Sequence, residues 1–200
     1  MEETRSDAAS WDDRFEAACR AFDAGELARA RDGFEEVVAG VPEDAEAALY
    51  LTRTLRDLHG AEATLERARS LARAHPDDVA LLCELGDLYL ELGEPHAASV
   101  PLRQALQLAP ANSEVLFLLG NAFTDLGHHA EAARAYQAAL DTDPFKAEVW
   151  YNLGLAAHAL GDVPETVHAW ENYLRCAGAE APDRADVLET IAQLKGGAGS

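Results

Sequence analysis

Between residues 113 and 146 the apolar side chains recur in two stripes. Leu119, Gly120 and Phe123 stand three, four and seven places beyond Leu116, the spacing that puts side chains on one face of an α-helix. Ala132, Tyr136, Ala139 and Leu140 form a second stripe of the same kind. Gly127 lies between the stripes, where a glycine ends a helix in the left-handed region. Asp143-Pro144 closes the second stripe, because proline disfavours helix at the residue before it. The pattern predicts a helical hairpin. Gly120, Ala132 and Ala139 are small where its two helices should cross, which lets the axes approach, while Phe123 and Tyr136 fill the remaining space. One hairpin leaves apolar surface on both sides, so such units must stack.

The same spacing recurs along the chain. Pro42, Pro76, Pro110 and Pro144 are 34 residues apart, and so are Gly86, Gly120 and Gly154, each preceded by leucine. Gly25, Gly93, Gly127 and Gly161 keep that step, with one member missing near residue 59. Residues 113–146 read Leu116-x2-Leu119-Gly120-x2-Phe123, then Ala132-x3-Tyr136, then Pro144. Residues 79–112 read Leu82-x2-Leu85-Gly86-x2-Tyr89, Ala98-x3-Leu102 and Pro110. This resembles the tetratricopeptide repeat (TPR) family, whose signature is W-x2-L-G-x2-Y, A-x3-F and P. Residues 147–180 open with Trp150-x2-Leu153-Gly154 and then depart from it at Ala157, Thr166, Tyr173 and Gly178. Residues 11–44 match through Gly25, Ala30, Phe34 and Pro42. Residues 45–78 match least: Thr52 replaces the glycine, Thr64 the alanine, and Gly60 sits one place late.

The resemblance implies an all-α fold, a right-handed superhelical solenoid of antiparallel helix pairs. The expected division is five repeats (11–44, 45–78, 79–112, 113–146 and 147–180), a capping helix over 181–195, and disordered or flexible ends at 1–10 and 196–200. Asp183 is the expected N-cap of that last helix, with Val187, Leu188, Ile191 and Leu194 as its apolar face. Pro95 and Pro164 fall near helix starts, where proline is tolerated. Pro101 falls inside a second helix, which either kinks there or begins later.

Composition agrees with helix and narrows the partners. Of 200 residues, 48% are hydrophobic, too many for wholesale disorder. Alanine is abundant and Ile191 is the single isoleucine, a helical balance. With 36 acidic and 16 basic residues the net charge is −20, which repels nucleic-acid backbones and anionic membrane surfaces. There is no apolar run of 18 residues to span a bilayer. The acidic start lacks the basic and apolar parts of a signal peptide. Cys19, Cys83 and Cys176 are odd in number, widely spaced and without CxxC, which suits a reducing compartment. A cytoplasmic, bacterial protein is expected.

Catalytic signatures are missing: the sequence contains no HExxH, GxSxG, P-loop or GxGxxG. His96 and the pair His128-His129 fall at turns and read as solvated polar residues. A non-enzyme without cofactor or metal is expected. The resemblance instead implies a scaffold that binds a peptide or helix of another protein in a concave groove. One groove row carried over from the family holds Phe15, Leu49, Cys83, Phe117 and Tyr151, an apolar stripe. Two acidic rows flank it, one of them including Glu91 and Asp125. Arg53 and Arg56 interrupt them, and Asp87 and Asn121 share a further groove position. Asn121 and Asn152 match the two asparagines of the family's carboxylate clamp. The clamp's cations are absent, since Phe117 stands where its first lysine should be, so a chaperone-tail receptor is not expected. The two asparagines could still hold a peptide backbone. The expected partner is a basic or neutral segment with apolar anchors, with Phe117, Tyr151 and Phe15 as seats and Asp87, Glu91 and Asp125 reading charge. Two alternatives remain: a self-assembling structural protein, and a dedicated chaperone for a secreted client.

Overall fold

The computed structural model describes residues 10–179, 181 and 183–197. The expected disorder of 1–10 and 196–200 therefore lies mostly outside the described residues. Of those two segments, Ser10 caps the first helix and Gly196 and Gly197 end the last. No strand occurs among the described residues. The helices form two compact units, divided in the chain between Leu92 and Gly93.

In the first unit, α1 (Trp11–Asp23), α2 (Leu27–Gly40), α3 (Ala45–Ala74) and α4 (Val79–Glu91) pack in chain order. Phe34, Leu51, Leu71 and Leu81 are buried around Ala18, Ala30 and Ala48. Small residues set the α1–α2 distance: a Cβ on Gly33 would lie 2.8 Å from that of Ala18. The degenerate repeat has its own turn. The α3 run breaks at Gly60, with φ 80° and ψ 172°, so two helices, 45–59 and 61–74, meet at one residue. His59 holds the place of the missing glycine and has a Cβ that disfavours positive φ. Gly60 supplies that conformation one place later, and its carbonyl accepts from the Thr64 hydroxyl at 2.9 Å.

The second unit holds α5 (Pro95–Leu108), α6 (Ser113–Asp125), α7 (His129–Thr142), α8 (Ala147–Ala159), α9 (Val163–Ala177) and α10 (Arg184–Gly197). Of the two readings of Pro101, the late start is excluded, because α5 already begins at Pro95. Three-residue turns join α6 to α7 and α8 to α9. In each, the residue after a glycine at φ 73° donates back five residues, His128 to Phe123 at 2.8 Å and Asp162 to Ala157 at 3.0 Å. That bond satisfies an otherwise orphaned helix-end carbonyl.

The turn folds each pair together, and the crossing is close. A Cβ on Gly120 would lie 2.3 Å from the Tyr136 ring, and one on Gly154 would lie 2.2 Å from the Trp170 indole. Ala132, Ala139 and Tyr136 are buried at that crossing. At the far end, α10 packs on α9 through Val187 and Ile191, with Leu194 partly buried. Leu188 does not join this face as expected. It is 46% exposed, because among the described residues α10 packs on α9 and Leu188 lies off that contact.

Side chains at 34-residue steps begin the first helices. Ser10 accepts from the Asp13 amide at 3.1 Å, Asp44 from Ala47 at 2.9 Å, and Asp78 from Leu81 at 2.8 Å. In the second unit Asn112 accepts from Val115 at 3.1 Å. The next member of this series, Lys146, makes no capping bond to α8.

Gly120→Ala should lower stability by roughly 1–3 kcal/mol through overpacking against the buried ring. This loss opposes the gain of about 1 kcal/mol that alanine gives an ordinary helix position. Urea denaturation followed by circular dichroism reads the difference.

Candidate functional site

Once the crossings are packed, one side of each first helix is left over. On α6 it carries Glu114, Phe117, Asn121 and Asp125, spaced for a single helix face. On α8 the matching row is Glu148, Tyr151 and Leu155, with Asn152 beside it. Phe117 is half-buried, its ring centroid 6.2 Å from that of Tyr136. Tyr151 stacks obliquely on Tyr173, with centroids 5.1 Å apart. Its phenol is pushed up by burial and then by the charges of Asp183 and Asp186. Leu155 is 41% exposed.

A polar knot joins the two helices. Tyr136 donates its hydroxyl proton to Asn121 Oδ1 at 2.8 Å, and Asn152 Nδ2 donates to the same oxygen at 3.1 Å. Thr124 lies 3.0 Å from the Tyr136 hydroxyl. The structure thus brings Asn121 and Asn152 together, as the clamp pattern suggested. It also occupies the Asn121 carbonyl internally, so Asn121 presents chiefly its amide N–H groups. Burial pushes Tyr136 up to about 12, with its hydrogen bond with the Thr124 hydroxyl pulling the other way. Partial burial likewise raises the carboxyl of Asp125. No ion pair reaches Asp125 among the described residues.

The other expected site residues are placed differently. Phe15 is half-buried, its ring 5.8 Å from both Phe34 and Tyr50 against the aromatic cluster of the first unit. Asp87 and Glu91 are not free charge readers. Arg56 reaches Asp87 at 2.8 Å, Glu91 at 2.9 Å and Glu84 at 3.1 Å. Arg53 also holds Glu84, at 3.1 Å. Glu84 is 8% exposed, so its charge depends on these two guanidinium groups. A hollow of about 240 Å³ opens beside them, lined by Phe22, Arg53, Arg56, Asp57 and Glu84.

Sequence reasoning passed over Lys146. Its ammonium contacts Glu114, lies 3.7 Å from Glu148, and stands 5.3 Å over the Phe117 ring. The capping series held the signal, because lysine breaks a run of Ser, Asp, Asp and Asn. Among the described residues no group of three His, Cys, Asp or Glu could hold a metal. No helix there is long and apolar enough to cross a membrane.

Arg56→Gln should cost about 1–3 kcal/mol, since it leaves Asp87 and Glu91 without their guanidinium partner and Glu84 with Arg53 alone. Adding Glu84→Gln should recover part of that loss in a double-mutant cycle by urea denaturation. The Tyr136 shift gives a pH dependence with a defined sign. The folded value lies above the ordinary 10.0, so the native state keeps its proton where the unfolded chain has lost it. The stabilisation is complete below pH 10 and falls as pH rises toward 12, by about 1.4 kcal/mol per pH unit at most. Tyr136→Phe should make the alkaline fall in melting temperature shallower.

Comparison with known proteins gives the family. A tetratricopeptide repeat model matches residues 83–145 and 117–185. A crystal structure of MamA protein is 20% identical, with 83% of this chain and 91% of that chain covered and a TM-score of 0.70. TTC0263, a thermophilic TPR protein in Thermus thermophilus, is 20% identical over 92% of this chain and 98% of that one, with a TM-score of 0.67. A MamA RS-1 double mutant is 17% identical, covers 84% and 94%, and reaches 0.73. At these identities the structures speak for the fold alone. No curated protein matches in sequence. The two model matches together span residues 83–185, just over half the chain, so the chain belongs to the tetratricopeptide repeat family.

Proposed function

We propose that the protein is a non-catalytic scaffold whose α6–α8 face binds a peptide or helix of another protein. The family is one of protein-interaction modules, which supports the general role. The observation that carries the particular face is the juxtaposition of two half-buried aromatic rings, Phe117 and Tyr151, with the Asn121–Asn152 pair between their helices. Rings that the core does not fully enclose offer apolar seats, and desolvating them favours association. The asparagine amides suit the carbonyl groups of an extended or helical-end backbone. Asp125 offers one carboxylate without an internal counter-ion. The partner is then a basic or neutral segment with apolar anchors, neither nucleic acid nor membrane. Five repeats over 11–180 with a cap over 181–195 is the division we adopt. All three cysteines are free thiols, which fits a reducing, cytoplasmic setting.

The test is a tagged capture from native cell extract, analysed by mass spectrometry, with Phe117→Ala/Tyr151→Ala as second bait. A protein retained by the native bait and lost from the double variant, at unchanged helical circular dichroism, is the expected result. Equal recovery on both baits would put the working surface elsewhere.

A further inference from the structure

Lys146 stands where the other first helices have a capping side chain. Ser10, Asp44, Asp78 and Asn112 each accept a backbone N–H at this step, whereas Lys146 has no acceptor to offer. It also puts a positive charge at the N-terminus of α8, where the helix dipole disfavours one. A cap and a favourable dipole contact are both forgone at one residue. What the lysine gains is on the α6 face: it touches Glu114, approaches Glu148, and covers the Phe117 ring at 5.3 Å. The lysine side chain is 23% exposed, against 51% and 59% for the two glutamates. Its loop is braced for this placement. Trp150 Nε1 donates to the Pro144 carbonyl at 2.8 Å, and the Phe145 amide donates to Asp143 at 3.2 Å.

An aromatic ring flanked by carboxylates is what would receive the basic side chain of a partner. We propose that Lys146 is an internal surrogate for such a cation: it fills the Glu114–Phe117–Glu148 seat, closes it to basic residues, and so selects an uncharged, apolar segment as the partner of the α6–α8 face. The proposal rests on the reading of that face as the binding surface and narrows its partner from basic or neutral to neutral. Charge balance on the face supports this choice. Lys146 offsets part of the Glu114 and Glu148 charge, and the groups next to the seat, Tyr151, Leu155, Asn121 and Asn152, are apolar or amide. Asp125, the remaining carboxylate of the face, lies eight residues beyond Phe117 at the other end of α6. The lysine thus acts by exclusion, one of the two routes to specificity.

The experiment uses the full chain and a fluorescein-labelled hexa-arginine peptide, read by anisotropy at low and moderate salt. Lys146→Asn removes the charge and restores the cap by analogy with Asn112, and Lys146→Met removes the charge alone. Arg103→Gln, at an exposed position on α5, controls for the change in net charge. Both Lys146 variants should bind the peptide at least about 5-fold more tightly than the native chain, with the gain screened by salt. Arg103→Gln should change affinity by less than about 2-fold, and Phe117→Ala should remove the gain when added to Lys146→Asn. Lys146→Asn should also raise the urea midpoint, so poor folding cannot imitate the result. Equal affinities for Lys146→Asn and Arg103→Gln, or a gain that survives loss of the Phe117 ring, would overturn the proposal. Failure of the capture experiment with Phe117→Ala/Tyr151→Ala is a separate outcome, since it removes the binding face whether or not Lys146 fills the seat.

Discussion

In the second unit the fold rests on a small residue lying under a large ring at the α6–α7 and α8–α9 crossings. Gly120 faces Tyr136 and Gly154 faces Trp170 with no room for a methyl group. The glycine allows the axes to approach, and the ring then fills the space that the approach leaves. Neither half works alone: a larger residue pushes the helices apart, and a smaller ring leaves a cavity. The first unit solves the same problem with Gly33 against Ala18 and Gly40 beneath the Trp11 indole. The close crossings of the second unit consume one side of α6 and α8 and leave the other side outside the packed seam.

The same rings also place the free side. Tyr136 is buried by the crossing, yet its hydroxyl reaches Asn121 and through that residue Asn152. Trp170 packs over Gly154 and donates its indole N–H to the Tyr151 carbonyl at 3.2 Å. Each aromatic that holds a helix pair together therefore fixes a polar or aromatic group on the proposed binding face. A substitution at the crossing would disturb the face without touching it, which is the physical link between packing and recognition in this chain.

Much of this was legible in the sequence, because packing imposes it locally. The 34-residue step, the turn glycines and the small-versus-large pairing all follow from rules that act within one hairpin. Gly60 was legible only in part. Its late position was visible, but the resulting one-residue turn depends on where positive φ is tolerated. Long-range pairing was less readable. Arg56 meets Asp87 and Glu91 across more than 30 residues, so carboxylates that look free in a row are already neutralised. Phe15 belongs to the expected apolar row and lies half-buried against Phe34 and Tyr50, a contact that the row itself does not reveal. Leu188 fits the apolar period of α10, yet the period does not say which side of that helix α9 covers. The break in the capping series at Lys146 was present in the sequence. Its meaning needed Phe117 and Glu114 to be seen beneath it.

The central claim is that the crossings hold the fold while the α6–α8 face, left over from them, does the binding. The most direct measurement is an NMR map of amide and aromatic shifts in the labelled chain as a captured partner segment is added. The account predicts changes concentrated at Phe117, Asn121, Tyr151, Asn152 and Leu155, with Gly120 and Gly154 amides following weakly. Changes confined to other surfaces, such as exposed Val100 on α5 or Phe145 in the turn before α8, with the α6–α8 rings unmoved, would contradict it.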